Sequence, residues 1–256
     1  MLESSIGTVS LIPLPDFPRV VPGDRLDEQI LSAAGADGFR DGDVVVLAQK
    51  VVSKAEGRYV RLSDIVPSER AEQLAAIARK DPRVVELVLS ESSSVMRAVP
   101  GIIIVRHRLG YVMANAGIDQ SNLSQGETEQ VLLLPVDPDG SATELRQKLQ
   151  AATQRRLAVL IIDSFGRAWR HGTCGTAIGS SGLPALQDLR GRPDLYGRRL
   201  ETSELGFADE IAAAASLVMG QADEGRPVVI VRGVRWEESQ QSAVNLVRPT
   251  ASDLFP

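Results

Sequence analysis

Three stretches of the 256-residue sequence place oxygen-bearing side chains just past apolar runs. In "VMANAGIDQSN" (112–122), Asp119 and Asn122 follow a strand-like run and a set of small residues. In "LAVLIIDS" (157–164), Asp163 and Ser164 close a fully apolar strand. In "MGQADEG" (219–225), Gln221 follows a helix-ending glycine. Two strand-end carboxylates that converge would suit magnesium or manganese, which take oxygen ligands and keep some waters and substrate phosphates. Taken singly, each Asp is more simply a turn residue, because Asp side chains bond their own backbone in turns.

Other chemistries lack their residues. There is no G-x-x-x-x-G-K-[ST] and no G-x-G-x-x-G after a strand, which argues against P-loop and dinucleotide folds. There is no G-x-S-x-G elbow, and "GSSG" (179–182) has the wrong spacing. One cysteine, Cys174, and two histidines, His107 and His171, exclude a disulfide within one chain and a structural zinc site. The single cysteine fits a reducing cytoplasm.

Cations cluster beyond Asp163. Arg167, Arg170 and His171 fall within eight residues of it, and Arg190, Arg192, Arg198 and Arg199 follow in "LRGRPDLYGRR". Glycines let backbone approach a ligand, and arginines grip phosphate or carboxylate bidentately. A solvated basic loop explains the segment about as well. Lys54, in "VVSKAEGR", could reach a phosphate as a point charge, or simply be a solvated loop lysine.

The elements that must position these groups are legible from periodicity. Hydrophobic residues make up 43% and aromatics 4%, so the core is built of Ala, Val, Leu and Ile. A net charge of −5 argues against a general nucleic-acid binder. No apolar stretch approaches the ~20 residues of a membrane span. The N-terminus has no signal-peptide pattern.

Strands are expected at 6–13, within 42–57 (running into a Lys-Gly loop), at 157–164 and at 226–233. A hairpin over 101–117 should turn at Leu109-Gly110. Helices are expected at 24–35, in "PSERAEQLAAIARK" and "DPRVVELVLSES", after a capping box of Ser141 and Glu144, and at 207–220 ended by Gly220. Residues 165–200 show little regular pattern, and the tail "TASDLFP" reads as loose. Helices mixed with hairpins, without regular β-α-β alternation, favour an α+β fold.

The motifs "VVSKAEGR", "NAGIDQSN", "LPVDPDGSA", "DSFGRAWRHGTCGTAIGSSG", "GRPDLYGRRL" and "ADEIAAAASLVMGQADEGRPVVIVRG" occur in order over roughly residues 10–235. Together they resemble the coenzyme F-420 γ-glutamyl ligase family. The resemblance implies a cytoplasmic, GTP-dependent amide ligase that joins L-glutamate to the lactyl carboxylate of a phosphodiester-linked 8-hydroxy-5-deazaflavin and can add further γ-linked glutamates. It implies a family-specific α+β fold of mixed and antiparallel sheets with packed helices, in an intertwined homodimer. Residues 1–256 would form a single ligase unit, with no clear linear boundary between any interleaved subdomains. The flavin-binding, nitroreductase-like C-terminal domain of some bacterial relatives is expected to be absent.

Carried over residue by residue, the resemblance makes Asp119 and Asp163 the catalytic acids and, with Ser164 and Gln221, the ligands of magnesium or manganese. A monovalent cation such as potassium is a further implied cofactor. Nucleotide contacts would come from Phe17, Pro18, Arg19 and Val20, from Gln49, Lys50 and Lys54, from Asn122, and from Met219, Gly220, Gln221, Ala222, Asp223, Glu224, Gly225 and Arg226. Ser164 stands where relatives often carry Thr, and Gln221 where some carry an acid. Gln49 and Lys50 stand where some members have small hydroxyl residues. The substrates are small molecules, with neither nucleic acid nor membrane involved. Two other readings remain open: an amide ligase acting on another pterin- or flavin-like carboxylate, and a GTP-binding regulator without catalysis.

Overall fold

The structure, a computed structural model, describes residues 7–35, 38–119 and 129–253. Its elements run β1 (Ser10–Pro13), α1 (Leu26–Ala34), β2 (Val44–Ala48), α2 (Gln49–Ala55), β3 (Tyr59–Arg61), α3 (Glu69–Ala78), α4 (Pro82–Ser90), β4 (Ser92–Val99), β5 (Ile102–His107) and β6 (Val112–Ala114). They continue with β7 (Gln130–Leu132), α5 (Pro138–Thr153), β8 (Ala158–Arg167), β9 (Arg170–Ser181), β10 (Gln187–Asp188), β11 (Glu204–Leu205), α6 (Phe207–Met219) and β12 (Val228–Arg232). The fold is α+β, as expected.

A mixed sheet in the order β1-β12-β2-β8-β9 forms the centre. Its pairings are antiparallel except for β2 with β8, which run parallel. Val44 to Leu47 and Ala158 to Ile162 are buried in unbroken runs because both faces of the sheet are covered. Val45, Leu47, Val159 and Ile161 face α1, α2 and α5; Val44, Val46, Leu160 and Ile162 face α6. Each such aliphatic side chain contributes about 1.5–3 kcal/mol on burial. A second body packs α3 and α4 against the β4-β5-β6 sheet around Val85, Val88, Ile103 and Val105. The short β3-β7 pair links the two.

Two β9 glycines let helices approach both faces of the sheet. The β8-β9 register shifts between Ile161↔Gly179 and Ile162↔Ala177, a bulge that reverses the alternation of β9. Gly175 therefore faces α6, where a Cβ would lie 2.5 Å from the Ala212 carbonyl oxygen. Gly179 faces α5, where a Cβ would collide with the Pro138 carbonyl.

Several local expectations change. The segment 49–55 is a helix rather than a Lys-Gly loop, and its buried Val51 and Val52 supply the apolar face that a loop lacks. The irregular-looking 165–181 is a long hairpin, β8-β9, in which backbone pairing substitutes for hydrophobic alternation. Helix α5 starts before Ser141: Asp137 caps it through the Gly140 N–H at 3.0 Å, and Pro138 needs no N–H at the first helical position. Ser141 instead donates to Glu56 at 2.6 Å, and Glu144 pairs with Lys148 at 2.5 Å. In the tail, Asp253 accepts from Arg106 at 2.8 Å.

Glu91, at the end of α4, gathers His107, Arg108 and Arg58. The Leu109 N–H donates to His107 Nδ1 at 3.1 Å, so a neutral imidazole carries its proton on Nε2, which faces Glu91 at 3.6 Å. His107 and Arg108 hold the Glu91 carboxyl down at about 2, against the opposing effect of burial. A folded-state pKa below the unfolded value stabilises the fold above the unfolded pKa. This contribution disappears as pH falls from about 4.5 towards 2. In urea unfolding, Glu91→Gln should lose much of it at pH 7, and the gap to the wild type should close across that window. Gly175→Ala should cost about 1–3 kcal/mol by overpacking β9 against α6, read in the same assay.

Candidate functional site

The parallel pairing of β2 and β8 aligns Ala48 with Ile162. Beyond that pair β2 gives way to Gln49 and Lys50, while β8 runs on to Arg167 paired with β9 alone, so Asp163 and Ser164 lie within the strand, where it outruns β2, rather than closing it as expected. Strand β12 runs antiparallel to β2 with Val228 opposite Leu47, so the 220–227 loop reaches the same edge. The Ala48 N–H donates to the Pro227 carbonyl at 2.8 Å and anchors that loop.

Alternation along β8 then sends successive residues to opposite faces. Asp163 shares the face of Val159 and Ile161, towards α2. Ser164 shares the face of Ile162, towards the end of α6, and donates to the Gln221 side-chain oxygen at 2.8 Å. The Ser164 N–H donates to the Asp163 carboxylate at 2.8 Å. Burial pushes the Asp163 carboxyl up to about 6, and the negative charge of Asp119 adds to the rise; the Ser164 N–H and Lys50 oppose it.

Asp119 arrives from the second body. Its N–H and carbonyl each bond Leu132 at 2.9 Å. The chain reaches it through three consecutive left-handed residues, Asn115, Ala116 and Gly117, with φ of 50°, 52° and 67°. Glycine suits 117, at positive φ and where a Cβ would press on Met113 at 2.8 Å and Leu134 at 3.0 Å. The Asn115 side chain accepts from the Ile103 N–H at 3.1 Å, which holds the turn to β5. Asn tolerates positive φ better than most residues, so the "NAG" tripeptide carried a sequence signal for this turn.

The Asp119 carboxylate meets the Lys50 ammonium at 2.5 Å. Lys50 and Lys54 lie four residues apart on α2, hence on one face of the helix. Burial, followed by the positive charge of Lys50, lowers the pKa of Lys54; Asp119 opposes the shift and Arg19 adds to it. The electrostatic neighbourhood thus contains Asp119, Asp163, Lys50, Lys54 and Arg19. Gln49 stands apart from it: the side chain is buried and accepts from Ser53 at 2.8 Å.

Phe17 packs on the core and Val20 is buried, while Pro18 and Arg19 are exposed. Met219 is buried at the end of α6. Gln221, Ala222, Asp223, Glu224, Gly225 and Arg226 form an exposed turn. There Glu224 accepts from the Ala222 N–H at 2.8 Å, and Gly220, at φ 73°, leaves space that a Cβ would take from the Glu224 carboxylate. Asn122 lies outside the described residues. In the arginine-rich region, Arg167 donates to the His171 carbonyl, Arg190 pairs with Asp188 and Glu204, and Arg199 bonds the Gly191 carbonyl. A cleft of about 170 Å³ between α1, α2 and α5 is lined by none of the implied metal ligands.

Among the described residues no three His, Cys, Asp or Glu side chains group to hold a metal. The two carboxylates suit a hard cation that takes its remaining ligands from water or phosphate, while Ser164 and Gln221, the other implied ligands, bond each other from the opposite face of β8. Two observations agree with that donor set: the charge of Asp119 disfavours ionisation of Asp163, and a cationic ammonium already contacts Asp119. Among the described residues no helix is long and apolar enough to cross a membrane.

The family profile described as "F420-0:Gamma-glutamyl ligase" matches residues 16–233. A protein of Methanothermobacter thermautotrophicus named "Coenzyme F420:L-glutamate ligase" is 47% identical over 251 residues, covering 96% of this chain and 98% of its own. Proteins of the same name from Methanopyrus kandleri and Archaeoglobus fulgidus are 45% and 46% identical, covering 97% and 88% of this chain and 98% and 88% of their own lengths. With most of its length matched and identities well above 40%, the chain belongs to the F420-0:gamma-glutamyl ligase family, whose enzymes form amide bonds.

Proposed function

We propose that the protein joins L-glutamate to the carboxylate of coenzyme F420-0, a deazaflavin carrying a phospholactyl group, using GTP as phosphoryl donor. The convergence of Asp119 and Asp163 beside Lys50 at one sheet edge carries this reading, with the names of the relatives in support.

A carboxylate does not react with an amine at neutral pH until one of its oxygens becomes a good leaving group. In the proposed reaction the substrate carboxylate attacks the γ-phosphorus of GTP, giving an acyl phosphate and GDP. The glutamate amine then attacks the acyl carbon, phosphate leaves and the amine loses a proton. Further γ-linked glutamates would be added by the same steps. No protein nucleophile is required.

The first step brings two anions together, so the residues must neutralise charge. Asp119, Asp163, Ser164 and Gln221 would hold magnesium or manganese, which when bound polarises the phosphoryl oxygens. Lys50, Lys54 and Arg19 present positive charge to the phosphates. Gly220 to Arg226, with Phe17 to Val20, would border the nucleotide, and Asn122 would contribute from beyond the described residues. Gln49 would act through its Ser53 contact and the shape of α2. A monovalent cation such as potassium belongs to the same reading. The assembly is a homodimer of cytoplasmic chains, a reading supported by the exposure of Trp169 (82%), Leu195 (99%) and Tyr196 (95%).

Purified protein with GTP, manganese, deazaflavin acceptor and glutamate should give a product heavier by one glutamyl unit in mass spectrometry. Asp119→Ala and Asp163→Asn should each lower that yield at least ~100-fold, the scale of losing an electrostatic stabiliser of the transition state. Full turnover in either variant would rule out its assigned role. Sedimentation should report twice the 27.5 kDa chain mass, and a monomer would overturn the dimer.

A further inference from the structure

We propose that Lys50 is a built-in counterion: it neutralises Asp119 and must leave that carboxylate before a divalent cation can be held there. Metal and nucleotide would then bind as a coupled pair. The inference rests on the metal and nucleotide reading above and adds to it the order in which the charges are satisfied.

The contact is specific. At 2.5 Å the Lys50 ammonium is within hydrogen-bonding distance of the Asp119 carboxylate, and both side chains are substantially shielded, with 31% and 18% of their surface exposed. A metal approaching alone must displace a paired cation and leave it beside Lys54, whose charge already repels it on the same helix face. A polyphosphate approaching alone meets two carboxylates. When both arrive together, the metal takes the carboxylates, and Lys50 and Lys54 face the phosphates. Each ligand removes the obstacle to the other, and by linkage the two affinities must change by the same factor.

Manganese binding, read from the loss of the free-ion electron paramagnetic resonance signal, tests this without any turnover. In the wild type, a non-hydrolysable GTP analogue should tighten manganese binding at least ~10-fold, within the usual range of coupling between sites. Lys50→Met keeps the stem length and removes the charge. Lys50→Gln is a second neutral variant, and Lys50→Arg retains the charge. Both neutral variants should bind manganese without nucleotide at least ~10-fold more tightly than the wild type, with the coupling factor shrinking correspondingly. Lys50→Arg should stay close to the wild type. Thermal melts identify any variant that fails to fold, and the two neutral variants back each other up. If the wild type binds manganese with the analogue but folded neutral variants bind it alone no more tightly, the counterion role is overturned while the metal reading stands. If the wild type binds no manganese even with the analogue, both fail together.

Discussion

The parallel pairing of β2 with β8 is the constraint on which the candidate site depends. Residues more than a hundred positions apart in sequence come side by side because Ala48 aligns with Ile162, where β2 ends and β8 runs on towards Asp163. The antiparallel β12 then returns the Gln221 loop to the same edge. The buried aliphatic runs of β2 and β8 hold this register: a one-residue slip would turn each buried set to the opposite face. The same alternation separates Asp163 from Ser164, giving one to α2 and the other to the end of α6.

Charge at this edge is balanced only locally. Asp119 disfavours ionisation of Asp163, and the lysines of α2 repel each other, yet Lys50 closes onto Asp119. Such an arrangement has two ways to be satisfied, internally or by a cation and a polyanion together. In a protein with a net charge of −5, this cationic face on α2 is a local departure from the overall acidity.

Among the described residues the second body brings Asp119 to the site, and much of its architecture positions that acid. The left-handed run through Asn115, Ala116 and Gly117 is unfavourable for residues with a Cβ, roughly 1–2 kcal/mol each. It persists because Asn115 bonds the Ile103 N–H and Asp119 bonds Leu132 through its backbone. Glu91, with His107 and Arg108, ties α4 to the β5-β6 turn from the other side.

Sequence alone determined the apolar cores of β2 and β8, the Gly220 stop and the α+β class, because burial and turn chemistry leave local marks in residue type; it ended β8 at Ser164, whereas pairing with β9 carries the strand on to Arg167. It was misleading where the deciding force was not local. The 49–55 segment is helical because its valines find the core, Asp137 rather than Ser141 caps α5, and the Gly- and Arg-rich hairpin is held by strand pairing without an apolar rhythm. Only the tertiary structure decided that Lys50 meets Asp119, that Asp119 lies near enough to Asp163 to raise its pKa, and that Ser164 turns away to Gln221. These are facts of register between distant segments, and register is set by which buried faces fit together, information that no single stretch of the chain contains.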